Sequence, residues 1–274
     1  MARIQPIRAV VDELLSEHQI NRPSDIDVMR IASSMGIEVR QSQMDGCAAN
    51  IVGLGDAAIV TVDSRGDEGR QRFSIAHEIG HWIYDRGNGL SLCDAQDLAT
   101  PWSSKAKSNP KERRANQFAA ELLMPRSMFR IQSQNLPFNL NTVEVLRSAF
   151  STSRTATAIR LVELGTSLAI LALFDRNGKR AWFCSSADVP RNFYPHRLLP
   201  NTSGIWKEVV TQGRLVSSVE ITDGDDWIEH VRSSDMTIEC QGMRVRNHVM
   251  VLIAFPDESD ITELLDNDDE FRWR

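Results

Sequence analysis

Cysteine is scarce in this 274-residue chain and poorly placed for bridging: Cys47, Cys93, Cys184 and Cys240 stand far apart, and none belongs to a C-x-x-C pair. That pattern argues against a disulfide framework and against a cysteine zinc site, and leaves reduced thiols as the expectation. Long hydrophobic runs are missing as well. The longest, residues 168–174 and 248–255, have the length of buried strands, whereas a membrane helix needs about 20 apolar residues. The opening MARIQPIRAV lacks the apolar stretch of a secretory leader, so a cytoplasmic protein is expected. Nor is there an excess of positive charge. Net charge is −6, and the eight acids and two arginines of residues 257–274 account for all of it. The rest of the chain is neutral overall, which gives no basis for a bulk attraction to nucleic acid or anionic membrane.

What the chain does have is an ordinary globular composition, 42% hydrophobic and 25% charged, in a length that exceeds one typical domain. A catalytic domain with a smaller second domain is the natural expectation. The organising stretch is RFSIAHEIGHWIYD, residues 72–85. His77 and His81 are four residues apart, and side chains at that spacing are neighbours on one helix face. Their imidazoles can converge on one ion, with Glu78 beside it. This is the H-E-x-x-H arrangement of zinc peptidases. Neutral imidazoles hold Zn²⁺ without cancelling its charge, and the adjacent carboxylate takes a proton from a water. With 6 His in the chain, chance produces such a pattern roughly 0.01 times per chain, so accident is set aside. Phe73, Ala76, Ile79, Gly80 and Ile83 recur at helical spacing and give the helix an apolar face.

Ahead of this stretch, Ile7, Val10, Val11, Leu14, Leu15 and His18 follow an amphipathic helical pattern. A second helix is expected from an N-cap at Ser24 to a stop at Gly36, with Val28, Ile31, Ala32 and Met35 inward. Residues 37–40, 47–52 and 57–62 read as the strands of a small sheet. An edge of that sheet offers a place for an extended peptide substrate, or the strands only cover the helix; the pattern favours neither. Residues 86–109 form a long polar loop with few apolar anchors. It joins the two helices that would carry the site, and its length fits a lid that restricts access to one cognate protein.

The next helix, residues 110–124, buries Ala115, Phe118, Ala119, Leu122 and Leu123 and ends at Pro125. A metal held by two histidines needs a third protein ligand, and in one zinc hydrolase pattern this is a glutamate on a second helix. Glu112 is the candidate. Yet Asn109 as N-cap and Pro110 at the first helical position make Glu112 the N3 residue of a capping arrangement, and spacing alone leaves both roles open. Asn116 lies one turn further along the same side. Glu121, more than two turns from Glu112, reads as a surface charge. Tyr84 reads as a hydrogen-bond donor to a transition state or as packing, with packing favoured.

AHEIGH followed by ERRANQFAAELLMP resembles the ImmA/IrrE family of metallopeptidases, within the glutamate-zincins. The resemblance spans about residues 26–125. It implies an α+β fold with a gluzincin-like metallopeptidase core. It also implies His77, His81 and Glu112 as metal ligands, Glu78 as general base, and Asn116 as a residue that supports the ligands. Zinc is the implied ion, with manganese as the alternative. Asp85 departs from the pattern, since many relatives carry a histidine there; the position suits contact with substrate or with a ligand.

Beyond Pro125, residues 142–150 and 153–164 read as two short helices joined by a tight serine-rich turn, spaced like a helix-turn-helix. Arg147, Arg154 and Arg160 are candidates for phosphate contact, but Glu144 and Glu163 dilute the charge, so packing is the favoured role and direct DNA binding is not expected. From Ser167 the pattern changes to strands at 168–174, 179–184, 215–221, 236–241 and 244–255, with a helix at 204–211 and an Asn177-Gly178 hairpin signal. A mixed α/β sheet domain follows, compatible with the GAF-like sensor domain of some relatives. Trp182, Phe183, Trp206 and Trp227 are candidate lining for a small-molecule pocket, although aromatic residues in a sheet are usually core. The expected domains are therefore 1–130 (peptidase core), 131–165 (helical segment), 166–256 (sensor-like domain) and 257–274 (acidic tail).

By resemblance, the leading functional expectation is a metal-dependent endopeptidase that cleaves one specific protein, a helix-turn-helix transcriptional repressor encoded nearby, in a stress or mobile-element response. The alternative is a regulatory module that binds protein or DNA through residues 140–165 and uses the metal structurally. Glu78 weighs against that alternative, because a structural site has no need of it.

Overall fold

The computed structural model describes residues 5–86, 92–94, 109–230 and 233–256. Most of the lid expected over 86–109, and the acidic tail, lie outside the described residues. The fold is α+β, and the chain divides into two compact units, residues 1–134 with 145–156 and residues 135–144 with 157–274. This division differs from sequence boundaries at 130 and 165.

In the first unit, α1 (Ile7–Glu17) buries Val10, Val11, Leu14 and Leu15. A 3₁₀ turn at Pro23–Asp25 precedes α2 (Val28–Ser34). The N-cap of α2 is Asp27 rather than Ser24. The Asp27 carboxylate accepts from the amides of Met29 and Arg30 at 2.9 and 3.1 Å, while Ser24 is held inside the 3₁₀ turn and Ile26 is extended. A charged cap at this position satisfies two helix-terminal N–H groups at once.

Strands β1 (Ile37–Ser42), β2 (Cys47–Leu54) and β3 (Ala57–Asp63) follow. β1 runs parallel to β3 with Ile37 opposite Ala58, and β2 is antiparallel to β3 with Ile51 opposite Val60. A strand that the polar composition of the loop conceals, β4 (Leu92–Asp94), lies against β2 at Cys47–Asn50, giving the order β1-β3-β2-β4. The edges of this sheet among the described residues are therefore β1 and β4, and part of β2 is covered by the chain itself.

The helix α3 (Glu68–Asp85) starts at Asp67, whose side chain accepts from the Arg70 amide. From Ser74 to Trp82 every residue is buried, so the middle of α3 runs through the core. Val11, Ile31, Val60, Ile79, Phe118 and Leu122 form the centre of its hydrophobic cluster; each such side chain contributes about 1.5–3 kcal/mol of burial. The helix α4 (Pro110–Leu123) crosses α3 at Gly80. A Cβ on Gly80 would lie 3.1 Å from Phe118 Cδ1 and 3.2 Å from Ala115 Cα, so the absence of a side chain there sets how near α4 can come. In α5 (Arg126–Ser133) the first free amide, Arg126 N, is capped by Glu121 Oε1 at 3.0 Å. Glu121 is thus a helix cap and not a simple surface charge.

Two further helices, α6 (Leu140–Phe150) and α7 (Arg154–Leu164), each contribute residues to both units. From Ala156 to Val162 every residue of α7 is buried. Arg160 is 2% exposed and pairs with Glu163 at 3.0 Å.

The second unit holds an antiparallel sheet of β5 (Leu168–Phe174), β6 (Arg180–Ser185), β8 (Glu220–Asp223), β10 (Thr237–Val245) and β11 (His248–Phe255), in the order β6-β5-β11-β10-β8. The short strands β7 (Tyr194–Pro195) and β9 (Ile228–Glu229) pair apart from it. The helix expected at 204–211 is present, and it takes π-helical geometry over Trp206–Thr211. The hairpin after β5 is closed by Asp175, whose carboxylate accepts from the amides of Asn177 and Lys179. Residues 236–241 and 244–255 were expected as two strands broken near Gly242; instead β10 runs through Gly242 and turns at Arg246. Gly242 sits inside the strand because Ile205 Cγ2 lies 2.3 Å from where its Cβ would be, a close approach rather than a turn. Trp227 is fully buried among Phe193, Phe255 and Cys240, with Phe183 and Trp206 packed against that cluster. Among the described residues no helix is long and apolar enough to cross a membrane.

Candidate metal centre

Helical spacing delivers the first half of the site. His77 and His81 occupy the buried face of α3 one turn apart, with ring centroids 4.7 Å apart. The Nε2 atoms are 3.0 Å from each other. The second half comes from α4. Asn109 caps that helix, accepting from the Lys111 amide at 3.1 Å, and the Glu112 side chain turns toward the histidines. Glu112 Oε2 is 3.1 Å from His77 Nε2 and 3.3 Å from His81 Nε2. All three side chains are buried, at 0, 4 and 4% exposure for His77, His81 and Glu112.

The outer nitrogens settle the chemistry of the inner ones. His81 Nδ1 lies 2.9 Å from Asp85 Oδ2, and a carboxylate only accepts. Nδ1 therefore carries the proton, and in the neutral ring Nε2 presents a lone pair. His77 Nδ1 lies 2.8 Å from Asn116 Oδ1, which fixes the same tautomer. Two nitrogen lone pairs and a carboxylate oxygen then face one another within hydrogen-bonding distance, all acceptors. Such a set is stable only around a cation or a proton. Tetrahedral zinc with bonds of about 2.0–2.1 Å spaces its ligand atoms by roughly 3.3–3.4 Å, close to the separations found. Two imidazoles and one carboxylate also match zinc, whereas manganese favours more oxygen donors. His77, His81 and Glu112 are the only metal-ligating cluster among the described residues.

The electrostatics agree with this geometry. Burial alone would lower the pKa of His81, but hydrogen bonds to Glu112 and Asp85 outweigh it, and the value is raised above the usual 6.5. Burial would raise Glu112, but the two histidines hold its carboxyl far below the usual 4.5. Glu78 is fully buried next to His77 on α3, and its charge also acts to raise His81. The Tyr84 ring packs edge-to-face on Phe118 at 6.2 Å, in line with the packing role. Glu121 is engaged with α5, away from the cluster. One residue that sequence reasoning passes over is Arg114, whose Nη2 donates to Asp85 Oδ1. The Asp85 position was visible from its four-residue distance to His81. Arg114 was not, because its pairing crosses from α4 to α3.

An α+β unit in which two histidines and a glutamate meet across crossed helices defines the class of metallopeptidase-like domains. Residues 32–162 match the model of the Peptidase_M78 family, the IrrE N-terminal-like domain, and this stretch, which holds the whole cluster, belongs to the ImmA/IrrE family. Among solved structures, a Mycobacterium tuberculosis transcriptional regulator is similar in fold. Its TM-score is 0.61 at 14% identity, covering 92% of this chain and 77% of that one. A comparison with curated proteins finds no match.

Proposed function

We propose that this protein is a cytoplasmic, zinc-dependent endopeptidase that cleaves one specific protein. By family resemblance its substrate is a helix-turn-helix transcriptional repressor encoded nearby, cut in a stress or mobile-element response. The observation that carries the reading is the mutual approach of three acceptor atoms, His77 Nε2, His81 Nε2 and Glu112 Oε2, at 3.0–3.3 Å. Zinc bound there supplies a Lewis acid that polarises a water and a substrate carbonyl. The chain supplies the rest. Glu78, one residue along α3 from His77, accepts the proton of the attacking water and returns it to the departing amine. The surrounding core excludes solvent, which strengthens each of these electrostatic contacts.

A DNA-binding reading through residues 140–165 has the burial of α7 and the inward ion pair of Arg160 against it, since a recognition helix must expose one face to the groove. The deciding experiment is Glu78→Gln. The variant is expected to hold one zinc and to bind the repressor while failing to cut it. Cleavage at the wild-type rate by Glu78→Gln removes Glu78 as the base, and failure of the zinc-loaded wild-type chain to cut the repressor sinks the peptidase reading.

A further inference from the structure

Asp85, which orients His81, is itself paired with Arg114, a half-buried cation to which the centre as described gives no role. Asp85 is 4% exposed. One of its oxygens lies 2.9 Å from His81 Nδ1, and the other accepts from Arg114 Nη2. The Arg114 guanidinium in turn sits over the Tyr84 ring, 5.2 Å from its centroid, and Tyr84 rests on Phe118. A line of contacts therefore runs from Phe118 in the core through Tyr84, Arg114 and Asp85 to His81. With both oxygens engaged, the Asp85 carboxylate cannot rotate, and the imidazole bonded to it keeps its plane. A buried carboxylate without its cation would be costly. It would also add a negative charge beside a site that already holds Glu112 and Glu78. The two histidines are thus braced in unlike ways, His77 by the neutral amide of Asn116 and His81 by a charge-balanced pair.

We propose that Arg114 is a positioning residue: through Asp85 it holds His81 with Nε2 aimed at His77 and Glu112, and so sets the affinity of the centre for a divalent ion. The proposal rests on the metal-centre reading above. The planar guanidinium suits the task better than an ammonium, because it stacks on Tyr84 and donates along a fixed direction at the same time.

The test is zinc affinity of the full chain, by competition with a chromogenic chelator, for wild type, Arg114→Met, Arg114→Lys, Asp85→Asn and the double variant Asp85→Asn/Arg114→Met. Arg114→Met and Asp85→Asn should each weaken zinc about 10–100-fold. Arg114→Lys should recover part of the loss. The double variant should be little worse than Asp85→Asn alone, because both changes act through one contact. Histidine-ring nitrogen NMR of the zinc-loaded protein gives a second readout: Arg114→Met should move the His81 Nδ1 signal and leave that of His77 in place, which a general loss of stability would not do. A folded Arg114→Met protein with wild-type zinc affinity and an unmoved His81 signal overturns this inference alone. Failure of the wild-type chain to bind zinc overturns the metal-centre reading and this inference with it.

Discussion

Asn116 Oδ1 lies 2.8 Å from His77 Nδ1, across the crossing of α3 and α4, and so the helix that supplies Glu112 also decides which nitrogen of His77 carries the proton. Asn116→Leu keeps the branched shape but removes the acceptor, leaving the Nδ1 proton unsatisfied in the core. Zinc affinity is expected to fall about 10–100-fold, measured by chelator competition, with Asn116→Asp close to wild type. Wild-type affinity in Asn116→Leu would remove Asn116 from the centre.

The ligand set has its own check. Proteins carrying His77→Ala or Glu112→Gln should purify with little zinc by elemental analysis, whereas Glu121→Gln, whose parent carboxylate caps α5 at Arg126, should retain one ion per chain. Glutamine keeps an acceptor oxygen for the Arg126 amide, so the fold should also stay close to wild type in stability. Zinc loss in Glu121→Gln but not in Glu112→Gln would mean that the third ligand is misassigned.

Gly80→Ala tests the helix crossing. Alanine gains about 1 kcal/mol of intrinsic helix propensity over glycine, but its Cβ would meet Ala115 Cα at 3.2 Å and Phe118 Cδ1 at 3.1 Å. A backbone atom cannot step aside, so α4 must shift as a body, at a cost of about 1–3 kcal/mol. Net destabilisation on the order of 1 kcal/mol is expected in urea unfolding, accompanied by weaker zinc binding as Glu112 moves off. A more stable protein with unchanged zinc affinity would contradict the tight crossing.

The stability of the chelator-treated protein should depend on pH in two opposite ways. His81 has a folded pKa above its ordinary 6.5, so its contribution is complete below that value and fades as pH rises through the raised one. Glu112 is held far below its ordinary 4.5, so its contribution is present above that value and fades as pH falls through the depressed one. The cluster therefore supports the zinc-free fold best between about pH 4.5 and 6.5. Zinc competes with the His81 proton, so the rise in Tm on adding one equivalent should be small in that window and grow toward alkaline pH. A zinc-induced shift that shrinks from pH 6 to pH 8 would be the wrong sign.

In the second unit, Gln241 ties β10 to the start of α6. Its Oε1 accepts from the Leu140 amide at 2.7 Å, and its Nε2 donates to the Ser217 carbonyl at 3.0 Å. Gln241→Leu leaves both backbone groups buried without these partners and is expected to cost about 2–5 kcal/mol, read by chemical denaturation, with zinc content unchanged. Loss of zinc in a folded Gln241→Leu protein would contradict the placement of the whole centre in residues 77–116.

Local spacing carries much of this protein. The i, i+4 rule places His77 and His81 together, the apolar periodicity delimits α1 and α4, and the unbroken apolar run 168–174 coincides with β5, because each depends only on backbone repeats a few residues long. Glu112 was legible as a candidate but shared its position with a capping role, and only the fold shows its carboxylate turned to the histidines. Ser24 and Asp27 are both good caps by composition, and the extended turn at Ile26 decides between them. Tertiary structure alone decides the rest. Gly242 reads as a break until Ile205 is packed against it, and β4 is hidden in a polar loop until β2 offers it a partner. Arg114 and Asp85 are 29 positions apart and meet only because α4 can approach α3 where Gly80 has no side chain. Pairings of that kind are set by how closely two helices can pack, a property that residues far apart in sequence determine jointly and that no local repeat encodes.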